Sequence, residues 1–338
     1  MEDLREKLGL IAADKMSRKD LISIRVDKTV PSGMNVTKRV CNENCIFDHS
    51  KGIRCNDDLF MNERGSALSN EDLASYIARI SEASEKKVRV HIAGDGEPTL
   101  LNNELVSFIR TLRGLDQVHS IKLTTNGTML HLGSHSLASR LKEAGLDSIN
   151  ISLHTLDPET FKYITGIDAL SIVLKGIDSA IASGLRTSIN CVLRPQTLDE
   201  LESFMDLSRE KGITIKFFSA LSNTDADQKE YDSLMDKITL ILSGVSEEYK
   251  NYTYPYDGIV YLVKGAVIDV KDSRINRCPN FHCEYRDQCI EGCRYEARIS
   301  RIGVLQPCGA RKDNRLDLSK SVATREQIVG ALLSGGKL

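Results

Sequence analysis

Cysteines carry the most distinctive chemistry in this sequence, which contains nine of them. Thiolates are soft ligands that favour iron, zinc and copper. An odd number of cysteines fits a set of disulfides poorly, and their grouping near the two ends of the chain predicts two metal sites. The first group is Cys41, Cys45 and Cys55, and the second is Cys278, Cys283, Cys289, Cys293 and Cys308, while Cys191 stands apart from both.

Glycines and small polar residues follow several predicted strands. The segment Gly94-Asp95-Gly96-Glu97 ends one strand, and Thr125-Asn126 ends the next. Glycine lets the backbone approach a ligand closely, and a carboxylate can hold a cation. Because the carboxyl ends of parallel strands meet at one edge of a sheet, these residues predict a single site for a compact zwitterionic ligand with a nucleoside part. The two following strands add Asn150, Ser152, His154, Asn190, Val192 and Arg194.

Strand and helix patterns alternate between these motifs. Helix-like periodicity over residues 70–84, 103–112, 136–144, 169–182 and 198–211 separates short β-rich runs. This alternation predicts an α/β fold with a parallel sheet, open or curved like part of a (β/α)6 barrel of the TIM type. The predicted strands are 34–40, 87–94, 120–127, 148–154, 186–194 and 214–220.

The character of the sequence changes near residue 245. Two hairpins are predicted beyond it, one over 258–270 that turns at Lys264-Gly265 and one over 297–308 that turns at Gly303. We therefore expect a main domain over residues 1–245, which begins with an N-terminal extension over 1–33. A smaller cysteine-rich domain with a C-terminal tail would cover 246–338.

Composition excludes several classes of protein. The net charge is -2 and the pI is about 6.4, which argues against a broad nucleic-acid interface. No run of apolar residues is long enough to cross a membrane. The first residues are charged and lack the apolar core of a signal peptide, so we expect a cytoplasmic protein.

Four segments resemble the radical S-adenosylmethionine (SAM) superfamily. They are CNENC (41–45), GDGEP (94–98), KLTTNGTML (122–130) and LKEAGLDSINISLHTLDPETF (141–161). Within the superfamily, they look most like the GTP 3′,8-cyclases of molybdenum-cofactor biosynthesis and relatives with a C-terminal auxiliary cluster. The resemblance is continuous over roughly residues 34–220 and looser in the cysteine block.

The resemblance implies a cofactor and a reaction. Cys41 and Cys45 would bind a [4Fe–4S] cluster whose open iron is chelated by SAM. An electron from a donor such as flavodoxin or ferredoxin would then cleave SAM, and the 5′-deoxyadenosyl radical would take hydrogen from a substrate. Gly94, Gly96 and Glu97 match the motif that contacts the methionine amino group, and Thr125 and Ser152 match positions along the carboxylate and ribose. Asn190 and Val192 flank the adenosine, and Asp95 and Asn126 complete the expected cofactor-binding set.

The third ligand of the first cluster departs from the family pattern, which is Cys-x3-Cys-x2-Cys. Asp48 occupies the position of the last cysteine. Cys55 would serve as the third ligand if an inserted loop delivers it. Asp48 itself would be the ligand in a second interpretation, although its oxygen is a hard donor. In a third interpretation the site is degenerate, and the protein is a metal-stabilised binding protein.

The second cysteine group resembles the auxiliary-cluster appendages of the same superfamily. This resemblance implies a second [4Fe–4S] cluster held by cysteines among residues 278–308. Four thiolates could instead bind a structural zinc ion.

The substrate is less constrained than the cofactor. Arg298 matches one of two arginines that contact the triphosphate in GTP 3′,8-cyclases, whereas Glu296 occupies the position of the other. We expect a small molecule, with a nucleotide as one candidate, and a ribosomally made peptide as the alternative.

Overall fold

The computed structural model describes residues 21–34, 41–45, 65–94, 96–219, 225–252, 258–271, 296–308, 313–319 and 323–335. Twelve strands within these residues form one sheet, in the order β12-β11-β10-β1-β2-β3-β4-β5-β6-β9-β8-β7. The strands are β1 (Leu21–Val26), β2 (Lys87–Ile92), β3 (Val118–Thr125), β4 (Ser148–Ser152), β5 (Arg186–Leu193), β6 (Thr214–Ser219), β7 (Glu248–Tyr252), β8 (Gly258–Val263), β9 (Ala266–Lys271), β10 (Glu296–Ile299), β11 (Val304–Gln306) and β12 (Leu316–Asp317).

Helices cover one face of this sheet. They are α1 (Asn70–Ser84), α2 (Asn103–Arg113), α3 (Leu137–Glu143), α4 (Pro158–Thr165), α5 (Leu170–Ala182), α6 (Pro195–Asp199), α7 (Leu201–Lys211), α8 (Asp225–Val245) and α9 (Arg325–Ser334), with a 3-10 turn over Pro98–Leu101. Among the helices that the structure describes, none combines the length and apolarity that a membrane crossing requires.

The middle of the sheet is parallel from β10 through β1–β6 to β9. Helices connect its successive strands, so the predicted α/β fold with a partial barrel is confirmed. The antiparallel strands β11 and β12 extend one edge, and β8 and β7 extend the other.

The core lies between the sheet and the helices. Alternate residues of β2, such as Val88 and Val90, are fully buried there against helix residues such as Ile77 and Phe108. The other face of β2 carries Arg89 and His91, and this face lines the inside of the partial barrel. The strands are therefore apolar on the face that meets the helices and polar on the other.

The sequence interpretation misplaced the first strand. Residues 21–26, which we had left in an N-terminal extension, form β1 between β2 and β10. Ile22, Ile24 and Val26 alternate into the core, and this period of two is the signal that was overlooked. Of the strand predicted over 34–40, Met34 is described and lies outside the strands, whereas residues 35–40 lie outside the described part of the chain, so this strand stays a prediction.

Both predicted hairpins are confirmed. Strands β8 and β9 pair across Lys264-Gly265, where both residues have positive φ, and β10 and β11 pair across Gly303. These hairpins, which come from residues beyond 245, join opposite sides of the parallel sheet. The domain boundary at 245 stays a prediction.

Candidate active site

Among the described residues, Cys41, Cys45 and the predicted cofactor-binding residues lie at the carboxyl ends of β1–β5. Two of the cysteines, Cys41 and Cys45, lie in the loop that follows β1. The amide of Asn44 donates to Thr165 O at 2.7 Å, which fastens this loop to the end of α4. Within the described residues, no third Cys, His, Asp or Glu completes a metal site there, and the two candidates for that ligand, Asp48 and Cys55, lie outside them.

A ring of three side chains holds the cysteine loop against the end of β3. Asn126 Nδ2 donates to Asn42 Oδ1 at 2.7 Å, and Asn42 Nδ2 donates to Thr128 Oγ1 at 2.9 Å. Thr128 Oγ1 then donates to Asn126 Oδ1 at 2.8 Å, which closes the ring. Asn126, which we expected at the cofactor, therefore also positions the loop that carries the cysteines.

Glu97 is buried and organises the ends of β2 and β3. Its Oε1 accepts bonds from Thr99 N at 2.9 Å, Thr99 Oγ1 at 2.5 Å and Thr125 Oγ1 at 2.5 Å. Its Oε2 accepts one bond, from Asn126 N at 2.7 Å. Burial raises the pKa of Glu97, and these hydrogen bonds oppose the rise. Among the described residues, Oε2 therefore has room to accept a hydrogen bond from one further donor, such as an ammonium group.

Gly94 and Gly127 occupy positions that no other residue fits. A Cβ at Gly94 would overlap the carboxylate of Asp27, at the end of β1. Gly127 has φ of 82°, and a Cβ there would lie 2.7 Å from Ile151 Cγ2. A Cβ at Gly176 of α5 would likewise lie too close to the carbonyl oxygen of Gly127. Both motif glycines are therefore fixed by close packing, independently of any ligand.

Ser152, Asn190 and Val192 lie together on β4 and β5. Ser152 pairs with Asn190 in the parallel register. Asn190 Oδ1 is buried and has no hydrogen-bond partner among the described residues. A buried amide oxygen without a partner is costly, so it suits a ligand hydroxyl or amino group. Asn190 Oδ1, the thiols of Cys41 and Cys45, and Glu97 Oε2 are together a set of groups that fits a bound cluster with SAM. Gly96 lies next to Glu97, and Asp95 falls outside the described residues.

His154 continues the pairing of β4 with β5. Its Nδ1 accepts a bond from Val192 N at 3.0 Å, where backbone pairing has ended. Burial, aided by the charge of Arg194, lowers the pKa of His154 to about 3. The imidazole is therefore neutral, and it supports the strand end on which Val192 lies.

Charged residues on the inner face form a second part of the site. Arg298 on β10 is in register with Arg25 on β1, and Arg25 is in register with His91 on β2. Glu296 lies 2.8 Å from Arg25 Nη2 and 3.0 Å from His91 Nδ1. Burial raises the pKa of Glu296, but Arg25 and His91 outweigh it and hold that pKa well below its ordinary range.

His91 is neutral in this cluster. Burial and then the charge of Lys122 lower the pKa of His91 to about 3, although Glu296 opposes them. His91 Nε2 lies 2.8 Å from Thr124 Oγ1. His91 therefore lies on the polar face of the sheet, in register with Arg25 and Lys122.

Several inner-face residues were missed from the sequence. Lys216 on β6 donates to Asn150 Oδ1 on β4 at 2.8 Å. Asp269 on β9 is in register with Lys216 and accepts a bond from Tyr252 at 2.5 Å. Strict alternation of polar and apolar residues within each strand is the signal that could have identified them.

Cys308 lies at the opposite end of the sheet from Cys41 and Cys45. It follows β11, which runs antiparallel to β10, so the chain at Cys308 has returned to the amino ends of the parallel strands. Cys308 is buried. The other cysteines of its group, Cys278, Cys283, Cys289 and Cys293, lie outside the described residues.

Comparisons with known proteins agree with this geometry. A sequence profile of the Radical SAM superfamily matches residues 35–208. A probable GTP 3′,8-cyclase of Methanococcus aeolicus is 30% identical over 291 residues, which cover 85% of this chain and 88% of that protein.

Solved structures share the fold at low sequence identity. Native anSMEcpe with bound AdoMet matches with a TM-score of 0.58 at 15% identity, over 93% of this chain and 82% of that one. SuiB of Streptococcus suis bound to S-adenosylmethionine matches with a TM-score of 0.53 at 16% identity, over 89% of this chain, which spans 64% of SuiB. The profile match and the similarity to the methanococcal protein show that the chain belongs to the radical SAM superfamily of enzymes.

Proposed function

We propose that this radical SAM enzyme binds its [4Fe–4S] cluster through Cys41, Cys45 and Cys55 and acts on a small anionic substrate, with a nucleotide as the leading candidate. Membership of the superfamily implies a [4Fe–4S] cluster and SAM. When bound and reduced, the cluster supplies the electron that cleaves SAM, whose 5′-deoxyadenosyl group then takes hydrogen from the substrate.

The described residues would hold SAM along the carboxyl ends of β2–β5. Glu97 Oε2 has capacity for the methionine ammonium, because Asn126 N is its one donor among the described residues. Asn190 Oδ1 would accept a hydrogen bond from the nucleoside part, and Ser152 lies beside it in register. Gly94, Asp95, Gly96, Thr125 and Val192 complete the proposed cofactor-binding set.

Charge on the inner face is the observation that carries the substrate class. In the parallel strands, alternation directs eight basic residues and two carboxylates to the inner face. An inner face with more basic side chains than carboxylates has a positive potential, which suits a phosphorylated or carboxylated ligand. The similarity to probable GTP 3′,8-cyclases supports a nucleotide. The basic residues are Arg25, Lys87, Arg89, Lys122, Arg186, Lys216, Lys271 and Arg298, of which Lys87 and Arg186 are exposed at the start of their strands, and the carboxylates are Glu296 and Asp269.

Glu296 distinguishes this chain within that proposal. It neutralises Arg25, and it stands where the family resemblance leads us to expect a second arginine. Arg298 remains as the proposed substrate contact. We therefore infer fewer phosphate contacts than a GTP 3′,8-cyclase makes, and GTP is one of several nucleotides to test.

Cys308 and the cysteines between 278 and 293 are proposed to bind a second [4Fe–4S] cluster. The register that pairs Arg298 with Gln306 brings Glu296 opposite Cys308 when it is extended by two residues on each strand. Cys293 precedes Glu296 by only three residues in the sequence. This short sequence separation supports a metal site shared by Cys293 and Cys308 at the end of the sheet remote from Cys41. A structural zinc ion is the alternative outcome for these thiols.

The test is an anaerobic assay of the reconstituted enzyme with a chemical reductant or flavodoxin. We expect release of 5′-deoxyadenosine that rises when the correct nucleotide is added, and transfer of deuterium into it from the labelled substrate. Lys216→Gln should raise KM for the nucleotide while SAM cleavage without substrate continues at the wild-type rate. Stimulation by a peptide and by no phosphorylated compound would overturn the substrate class.

The third cluster ligand is tested by substitution. Cys55→Ala should lose the first cluster and SAM cleavage, while Asp48→Ala should keep both. The reverse result would assign the ligand to Asp48. Zinc in place of iron in every preparation, without SAM cleavage, would support a metal-stabilised binding protein instead.

A further inference from the structure

Asp27 connects the end of β1 to two other parts of the fold. It is 5% exposed and immediately follows the strand. Its backbone amide donates to Ile299 O at 3.0 Å, and its Oδ1 accepts a bond from Thr29 Oγ1 at 2.7 Å. The Asp27 carboxylate is therefore held in place at the end of β1.

The Asp27 carboxylate supports the backbone of Gly94. Oδ1 occupies the space where a side chain at Gly94 would begin, and Thr29 Cγ2 lies at the far side of the same space. The amide of Ala93 donates to Val26 O at 3.1 Å. The path of the chain into the GDGEP segment therefore depends on where this carboxylate lies.

Arg301 approaches the same carboxylate from the C-terminal part of the chain. It lies in the turn between β10 and β11, is 6% exposed, and its Nη1 is 4.0 Å from Asp27 Oδ2. Its carbonyl accepts a bond from Leu68 N at 2.9 Å. Burial raises the pKa of Asp27, and Arg301 and then Thr29 oppose that rise. Arg301 therefore favours the ionised form of a carboxylate that burial alone would tend to neutralise.

We propose that Asp27 and Arg301 form a positioning pair that sets the backbone at Gly94 for SAM binding. Through this pair, the β10–β11 hairpin is tied to the cofactor end of the barrel. Neither residue needs to contact SAM, since both act through the main chain of the glycine segment. The inference rests on the proposed SAM site at GDGEP.

The experiment compares Arg301→Gln, Arg301→Lys, Asp27→Asn and the double variant Asp27→Asn/Arg301→Gln. The dissociation constant of SAM is measured on each reconstituted enzyme by equilibrium dialysis. We expect Arg301→Gln to weaken SAM binding by about tenfold, because it removes the cation that most strongly favours the ionised form of a buried carboxylate. The double variant should bind SAM more tightly than Arg301→Gln, since it removes both charges, and Arg301→Lys should lie close to the wild type.

A second readout separates positioning from general stability. Amide hydrogen exchange of the apoprotein at residues 93–97 should be faster in Arg301→Gln than in the wild type. Arg113→Gln is the matched control, because Arg113 pairs with Asp147 at 2.5 Å at the other end of the strands. It should leave both SAM affinity and exchange at residues 93–97 unchanged. If Arg301→Gln lowers the melting temperature while SAM affinity and exchange stay at wild-type values, the pair is merely structural and the inference fails.

The two proposals fail in different ways. Wild-type enzyme that binds iron but does not bind SAM would contradict the proposed function. Wild-type enzyme that binds SAM normally, alongside an Arg301→Gln variant of equal affinity, would contradict the positioning pair alone. If Arg301→Gln does not fold, the affinity of the double variant relative to Asp27→Asn still tests the pair.

Discussion

Asn42 and Asn126 are 84 residues apart in the sequence and are joined by a hydrogen bond of 2.7 Å between their side chains. The bond joins the loop that carries Cys41 and Cys45 to the loop that follows β3. Asn126 also donates its backbone amide to Glu97. The cysteine loop, the end of β2 and the end of β3 are thus parts of one hydrogen-bonded unit.

This unit predicts that Asn42→Asp impairs the cluster loop. Aspartate keeps the oxygen that accepts from Asn126 but loses the Nδ2 that donates to Thr128. We expect faster loss of iron from the reconstituted enzyme, followed by absorbance near 400 nm, and a KM for SAM raised by several fold. Thr128→Val removes that hydrogen bond and also the bond from Thr128 Oγ1 to Asn126 Oδ1, so its effect should be at least as large. Iron retention and KM at wild-type values in Thr128→Val would contradict a role for the ring.

Local sequence patterns were sufficient for much of the fold. The Lys264-Gly265 turn was predicted from a short run, because two positive φ values in a tight hairpin need such residues. Strands β2–β6 and the main helices were located within a few residues because their periodicity is strong. Strand β1 was missed although Ile22, Ile24 and Val26 show the alternation of a strand, because its residues fell in the segment assigned to an N-terminal extension.

The sequence was sufficient to predict which residues form the site, but it was not sufficient to predict the contacts between them. The GDGEP motif identified Glu97 and Gly94, yet it did not indicate that Glu97 accepts four hydrogen bonds from Thr99, Thr125 and Asn126. The packing of Asp27 on Gly94 joins residues from different strands. Such contacts depend on sheet register, which no single segment encodes.

Buried neutral histidines predict a loss of stability in mild acid. The pKa of both His91 and His154 is about 3 in the folded chain, which is below the value of 6.5 for an unperturbed histidine. The unfolded chain therefore binds more protons between these values, and the free energy of unfolding falls as the pH drops below 6.5. Each histidine can contribute a slope of up to about 1.4 kcal/mol per pH unit.

The histidine contribution is measured by urea denaturation of the apoprotein between about pH 5 and pH 7. His154→Asn keeps an acceptor for Val192 N and removes the titrating ring. We expect the variant to show a shallower dependence on pH than the wild type, by up to about 1.4 kcal/mol per unit. Equal slopes in the two proteins would show that His154 is not held neutral in the fold.

The packing around Gly127 predicts a strong effect of Gly127→Ala. The added Cβ would be held at a positive φ and would press on Ile151. We expect the free energy of unfolding to fall by about 2–4 kcal/mol from these two causes together. Urea denaturation of the apoprotein measures this loss.

Gly244→Ala provides the matched control for that substitution. Gly244 lies in α8, and a Cβ there would meet open space. Alanine within a helix is favoured over glycine, and Gly244 lies in the last turn of α8, so this variant should gain at most about 0.5–1 kcal/mol. Equal losses in the two glycine variants would contradict the packing argument.

The placement of Cys308 and Cys191 predicts opposite effects on bound iron. Cys191 is buried in the core of β5, where burial raises the pKa of its thiol well above the ordinary value. An un-ionised thiol is a poor metal ligand, so Cys191→Ala should keep the wild-type iron content.

Cys308→Ala should lose about four of about eight irons, because it removes a thiolate from the proposed second cluster. Iron and zinc analysis of the reconstituted proteins measures both outcomes. Unchanged iron in Cys308→Ala, or loss of zinc rather than iron, would remove Cys308 from the ligands of an iron–sulfur cluster.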